Sequence, residues 1–136
     1  MNMSVSQVQG KVPVTVIKID GQMDGQNYHE LIAKAQELHQ AGTRDFLLDL
    51  SDLTYISSAG LVALHSIVLL ARGEELPDME GGWSAYRSMG RSSEGGLQKH
   101  VKLLNPRSEI MGVLDMVGFN NIFEIYTDLD EAVKTF

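Results

Sequence analysis

Two adjacent serines, Ser57 and Ser58, are the residues of this chain best placed for chemistry. They lie just before the apolar run from Leu61 to Ala71, which predicts a helix that begins near the serines. The start of a helix carries unpaired N–H groups and a partial positive charge, so it can hold a phosphate on a serine there. Serine is also a common N-cap residue, so one of the two hydroxyls could simply cap the helix.

Other catalytic and metal-binding patterns are weak or missing in the sequence. The chain contains four histidines: His29, His39, His65 and His100. None has the i, i+4 spacing of a helical zinc site, and we expect surface or half-buried side chains. A hydrolase built on Ser58, His65 and an aspartate is conceivable, but the serine does not lie in a G-x-S-x-G elbow. No P-loop or EF-hand spacing is present, so we expect no catalytic residue, cofactor or metal.

Composition and charge narrow the class of partner. The chain has 136 residues, of which 43% are hydrophobic and 21% charged, as in one ordinary globular domain. Its net charge of −7 argues against direct nucleic-acid binding and favours a basic partner. The sequence has no cysteine, no signal-peptide pattern and no apolar run of the ~20 residues that a bilayer requires. We therefore expect a cytoplasmic protein that does not contact a membrane.

The apolar pattern predicts strands and helices in the order β-β-α-β-α-β-α-β-α. Strands are predicted at residues 3–9, 12–19, 46–50, 101–104 and 123–126, and residues 53–58 are expected to lead into the second helix. This alternation predicts an α/β fold, with a central mixed sheet of four to five strands flanked by about four helices.

Several boundaries are predicted from capping residues. Asp20 and Gly21 are expected to end the second strand. Asn105 and Pro106 have the types expected at the N-cap and the first position of the third helix. Thr127 and Asp130 have the spacing of a capping box that opens the last helix.

Residues 73–100 fit none of these elements. A helix and a strand are usually joined by two to six residues, whereas this segment is long, rich in glycine, acidic in its first half and basic in its second. We interpret it as an irregular insertion in a single domain spanning residues 1–136, and we predict mobility over residues 77–96. Alternatively, Trp83, Tyr86 and Met89 anchor a lid or docking loop.

The segment from residue 49 to residue 64 resembles the signature of the STAS domain, in particular that of bacterial anti-sigma-factor antagonists. The pattern is a strand ending in Asp-Leu-Ser, an aromatic and an aliphatic residue, and a serine-containing loop before Gly-Leu. In this chain it reads Asp49-Leu50-Ser51, Tyr55-Ile56 and Ser57-Ser58-Ala59-Gly60-Leu61. The resemblance continues outside residues 73–100, at Gly21-Gln22-Met23-Asp24, Val101 to Pro106 and Leu114 to Phe119.

The resemblance implies a phospho-switched binding module rather than an enzyme. Such an antagonist binds an anti-sigma factor that is also a serine kinase, and binding frees the sigma factor, which regulates transcription indirectly. The kinase phosphorylates the antagonist and ends the complex, and a protein phosphatase restores it. Ser58 matches the phosphoacceptor. The implied partner-binding residues are Asp24, Ser57, Ser58, Ala59, Gly60 and Leu61.

The sequence departs from the family pattern at three places. Ser57 stands where many members have aspartate, which makes it a second candidate phosphoacceptor. Ala59 stands where many have serine or threonine, and residues 73–100 exceed the usual connection. The alternative function is a STAS scaffold or transporter-associated subunit without a phospho-switch. The sequence leaves the oligomeric state open.

Overall fold

The computed structural model describes residues 1–73 and 97–136. Its strands are β1 (Asn2–Gln9), β2 (Pro13–Met23), β3 (Phe46–Asp49), β4 (Leu53–Ile56), β5 (Val101–Leu104) and β6 (Ile125–Tyr126). Its α-helices are α1 (Tyr28–Gln40), α2 (Ser58–Ala71), α3 (Ser108–Met116) and α4 (Leu129–Lys134), and a 3₁₀ turn covers Phe119–Asn121. The predictions of mobility over residues 77–96 and of anchoring by Trp83, Tyr86 and Met89 lie outside the described residues.

The sheet is mixed, which confirms the predicted α/β fold. Its strand order is β1-β2-β3-β5-β6, and β4 pairs with β2 off this path. Only the β1–β2 pair is antiparallel among these pairings; the others are parallel. The sheet therefore has one strand more than expected, because residues 53–56 form β4 instead of leading straight into α2.

The extra strand depends on the continuation of β2 beyond its predicted end. The prediction that Asp20 and Gly21 end this strand is wrong, since β2 continues to Met23. Gly21 has a φ of +90°, and the pairing register shifts between Gly21 and Gln22. A glycine tolerates this φ because it has no Cβ, so the Asp-Gly pair marks an irregularity of the β2–β4 ladder rather than the end of β2. Thr54 of β4 is the unpaired residue there, between Leu53, which is opposite Gly21, and Tyr55, which is opposite Gln22.

Two hydrophobic cores cover the two faces of the sheet. Successive strand residues point to opposite faces, so Ile17 and Leu48 belong to the larger core and Val16 and Leu47 to the smaller one. Residues of α1, α2 and α3 complete the larger core, and Ala132 and Val133 of α4 complete the smaller one. Burial on both faces explains why the sequence from Phe46 to Leu50, which includes β3, is a nearly continuous apolar run.

Two predicted helix caps are wrong, although the last helix begins at Leu129 as predicted. Asn105 has a φ of 53° and its N–H donates to the Tyr126 carbonyl at 2.6 Å, so it forms the turn that ends β5. Helix α3 begins later, with Arg107 as its N-cap residue. In α4 the cap is Asp128, whose carboxylate accepts from the Asp130 N–H at 2.9 Å, and not Thr127. Strand β6 covers only the last two of the predicted residues 123–126, and Phe123 before it is buried in the larger core.

The histidines differ in burial more than we expected. His29 and His100 are exposed and His39 is partly buried, but His65 on α2 is only 1% exposed. It is buried because α2 contributes nearly every residue of its first three turns to the protein interior. Within the described ranges, no helix has the length and apolar character needed to cross a bilayer.

Candidate functional site

Ser57 and Ser58 have separate roles at the start of α2. Ser57 is the N-cap residue, and its hydroxyl accepts a hydrogen bond from the Gly60 N–H at 3.3 Å. Ser58 is the first helical residue and is exposed. Its hydroxyl forms no hydrogen bond with residues 1–73 or 97–136. Ser58 therefore carries an accessible hydroxyl that the helix does not use.

The end of β2 determines where α2 begins. Met23 lies opposite Ile56 in the parallel β2–β4 ladder, and the Ser57 N–H donates to the Met23 carbonyl at 2.9 Å. Asp24 directly follows Met23, just as Ser57 directly follows Ile56. The structure thus brings Asp24 and the two serines to the same end of the sheet, although they are more than thirty positions apart in sequence.

Asp24 is held by a tight turn before α1. Its N–H donates to the Asn27 side chain at 2.9 Å, and its carboxylate accepts from the Gln26 N–H at 3.0 Å. Its carbonyl accepts from the Tyr28 N–H at 3.0 Å. Asp24 is partly exposed, so this turn presents a fixed negative charge near the start of α2.

Gly60 fits a gap that no larger residue could occupy unchanged. A Cβ there would lie 2.6 Å from Ile56 Cγ1 and 3.2 Å from the Met23 carbonyl oxygen. The small size of Gly60 therefore serves packing within this chain. Gly60 and Leu61 are buried, whereas Ser58 is exposed and Ser57 and Ala59 are partly exposed. Partner binding by any of these residues stays a prediction.

The Asp49-Leu50-Ser51 motif builds the turn that leads to β4. The Asp49 carboxylate accepts hydrogen bonds from the Ser51 N–H at 3.0 Å and from the Ser51 hydroxyl at 2.7 Å. The Gly21 N–H donates to the Asp52 carbonyl at 3.0 Å, and the Thr54 hydroxyl donates to the Gly21 carbonyl at 3.0 Å. Sequence reasoning missed this role, although an Asp-x-Ser spacing is typical of an Asx turn.

An ion pair adds to the attachment of this turn. Lys18 Nζ lies 2.9 Å from the Asp52 carboxylate. The hydrogen bond and charge of Lys18 lower the pKa of Asp52, and the charge of Arg107 lowers it further. The same pair raises the pKa of Lys18. Both side chains are solvent-exposed, so the pair orients the turn more than it stabilises the fold.

The arrangement does not resemble a hydrolase site. Ser58 and His65 are separated by seven residues of one helix, a rise of roughly 10 Å at ~1.5 Å per residue, and His65 is buried. Two open clefts of about 500 and 460 Å³ lie near the other end of the parallel strands, where Asp45 lines both, and Ser58 lines neither. Among the described residues, no group of three or more histidine and acidic side chains could hold a metal ion.

Comparison with known proteins gives one family and several similar folds. Residues 6–77 match the family model described as "Mlab, STAS domain". No curated protein sequence matches the chain. A proposed anti-sigma factor antagonist from Thermotoga maritima has a solved structure with 21% identity and a TM-score of 0.67, covering 96% of this chain and 90% of that one.

Two further solved structures extend the comparison. An anti-sigma factor antagonist from Mycobacterium paratuberculosis shows 16% identity and a TM-score of 0.64, over 98% of this chain and 93% of its own. SpoIIAA from Bacillus, in its phosphorylated form, shows 15% identity and a TM-score of 0.55, over 97% and 96%. At these identities the likeness concerns the fold.

Proposed function

Because this chain belongs to the STAS domain family, we propose that it is an anti-sigma-factor antagonist whose partner binding ends when Ser58 is phosphorylated. The observation that carries the proposal is the accessible Ser58 hydroxyl on the first residue of α2, next to a cap that Ser57 provides. Solved structures with similar folds include anti-sigma factor antagonists, and one of these proteins, SpoIIAA, has a structure in a phosphorylated form.

The geometry supports an electrostatic switch. A phosphoryl group on Ser58 would add about 1.5 to 2 negative charges at neutral pH, near the carboxylate of Asp24. The positive end of the α2 dipole favours the phosphate in the free protein. In a complex the same phosphate must lose its water at the interface, which weakens binding.

On this proposal the protein is not an enzyme. It has two partners: a protein phosphatase, and an anti-sigma factor that is also a serine kinase. It acts in the cytoplasm without binding nucleic acid. The net charge of −7 supports the last point, because nucleic-acid binders need a basic surface.

Substitution of Ser58 tests the switch. Ser58→Ala should keep partner binding and abolish phosphorylation, because only the acceptor hydroxyl is removed. Ser58→Asp should keep the fold but weaken binding by at least about tenfold, because a carboxylate must be desolvated at the interface. Affinity can be measured by isothermal titration calorimetry with the anti-sigma factor of the same organism.

Ser57→Asp is the matched control, since aspartate is also a good N-cap residue. It should bind more tightly than Ser58→Asp. If Ser57→Asp loses binding and Ser58→Asp does not, Ser57 is the phosphoacceptor.

A second candidate function is a STAS scaffold or transporter-associated subunit without a working switch. Two observations favour it: Ser57 stands where many antagonists have aspartate, and the matching family model is described without reference to antagonists. Mass spectrometry of protein purified from its own cells separates the candidates. Phosphate on Ser58 supports the switch. Unmodified Ser58, together with normal binding by Ser58→Asp, supports the scaffold.

A further inference from the structure

The outer edge of β1 is the longest free strand edge of the described sheet. Strand β1 pairs only with β2 among the described residues, over eight consecutive pairs from Asn2–Asp20 to Gln9–Pro13 without a register shift. The opposite edge strand, β6, has two residues, and β4 has four. Short edge strands offer little to a second chain, whereas an eight-residue edge presents a row of unpaired N–H and C=O groups.

Strand β1 has none of the features that usually protect such an edge. Its sequence, NMSVSQVQ, contains no charged residue, no proline and no bulge. The first charged side chain in the sequence is that of Lys11. Most of the strand is exposed, and Val5 at its centre is 41% exposed. Proteins rarely leave an edge of this kind without a partner.

We propose that the outer edge of β1 pairs antiparallel with β1 of a second copy of this chain, which makes a symmetric dimer with one continuous sheet. The charge distribution favours this occupant. Each copy carries a net charge of −7, yet the edge itself is neutral, so two identical edges meet without like charges facing each other. A strongly charged partner strand would find no opposite charge on β1. The proposal does not depend on the proposed function.

Symmetry restricts the register of this pairing. The two-fold axis must be perpendicular to the sheet, so the larger core of both copies lies on the same face. Because successive residues point to opposite faces, odd-numbered residues of one copy must lie opposite odd-numbered residues of the other. An axis at Val5 places Val5 opposite Val5 of the second copy, and Ser4 opposite Ser6 of the second copy. This register removes the exposed Val5 side chains from water against each other and pairs small hydroxyl residues beside them.

Sedimentation analysis at high micromolar protein concentration tests the dimer. The wild-type chain should show the mass of two chains. Val5→Lys should show the mass of one chain, because two ammonium groups would face each other at the axis. Met116→Lys is the matched control: Met116 is 84% exposed on α3, so this variant should retain the mass of two chains. Circular dichroism shows whether each variant keeps its fold.

Cysteine cross-linking tests the register in a chain that has no cysteine of its own. Opposed residues of an antiparallel pair have Cβ atoms about 4.5–5.5 Å apart, close to disulfide geometry. On oxidation Val5→Cys should therefore form a linked dimer, while Ser6→Cys, which is opposite Ser4 of the other copy, should not. Ser58→Asp should leave the mass unchanged, which separates this proposal from the switch. A one-chain mass for the wild type overturns the dimer, and linkage of Ser6→Cys alone overturns the register with its axis at Val5.

Discussion

The two serine hydroxyls at the start of α2 differ in their contacts. Ser57 caps the helix and Ser58 faces solvent. The sequence identified this pair but could not say which serine is the cap, because both have the residue type that caps helices. The choice depends on a contact that is distant in sequence, the hydrogen bond from Ser57 N–H to the Met23 carbonyl.

This division predicts unequal effects on stability. Ser57→Ala should lower the free energy of unfolding by about 1 kcal/mol, because the Gly60 N–H loses its cap. Ser58→Ala should change it by less than about 0.5 kcal/mol, as exposed substitutions generally do. Urea denaturation measures both. Equal losses in the two variants would contradict the assignment of the cap.

At the scale of elements, the sequence predicted most strands and helices but not β4. Residues 53–56 lack a strict alternation of apolar and polar side chains, with Leu53 and Ile56 buried and the two between them exposed. They form a strand because β2 continues past Gly21 to Met23 and pairs with them. No local pattern in residues 53–56 encodes that extension. The paired ends of β2 and β4, on which α2 begins, could therefore not be predicted from the sequence.

The close contact of α2 with the ends of β2 and β4 predicts opposite effects on stability when two helical glycines are replaced by alanine. Gly60→Ala should destabilise the protein by about 1–3 kcal/mol, because the new methyl group would overlap Ile56 and approach the Met23 backbone. Gly112→Ala is the matched control, since nothing lies within 4 Å of its Cβ position on α3. That variant should stabilise the protein by about 0.5–1 kcal/mol. Thermal and urea unfolding measure both, and a stabilised Gly60→Ala variant would show that α2 is loosely attached.

At the scale of the whole molecule, the composition and the order of elements were enough to predict an α/β fold around a mixed sheet. The burial of His65 was not predicted, because a histidine in an apolar helix can face solvent or core. The helix is apolar on all sides, so its sequence gives no preferred face.

His65 predicts how stability depends on pH. Burial, and then the charge of Arg72, lowers its pKa from 6.5 to about 4. Between these values the unfolded chain binds more protons than the folded one, so stability should fall as pH decreases from 6.5 towards 4. His65→Gln should flatten this part of the curve, and His29→Gln, at an exposed position, should not. Urea unfolding across this pH range measures the slopes, and identical slopes for both variants would contradict the prediction.

The attachment of the first hairpin to the last helix has a consequence for biosynthesis. A Cβ on Gly10 would lie 2.6 Å from Val133 Cγ1, so the β1–β2 turn fits closely against α4. Helix α4 follows the six described strands, and it covers Val14, Val16 and Leu47. During translation these side chains have no cover from α4 until the ribosome has released the last helix. While residues 129–134 are still inside the ribosome, Val14, Val16 and Leu47 therefore lack their cover, and exposed apolar surface of this kind is what chaperones bind.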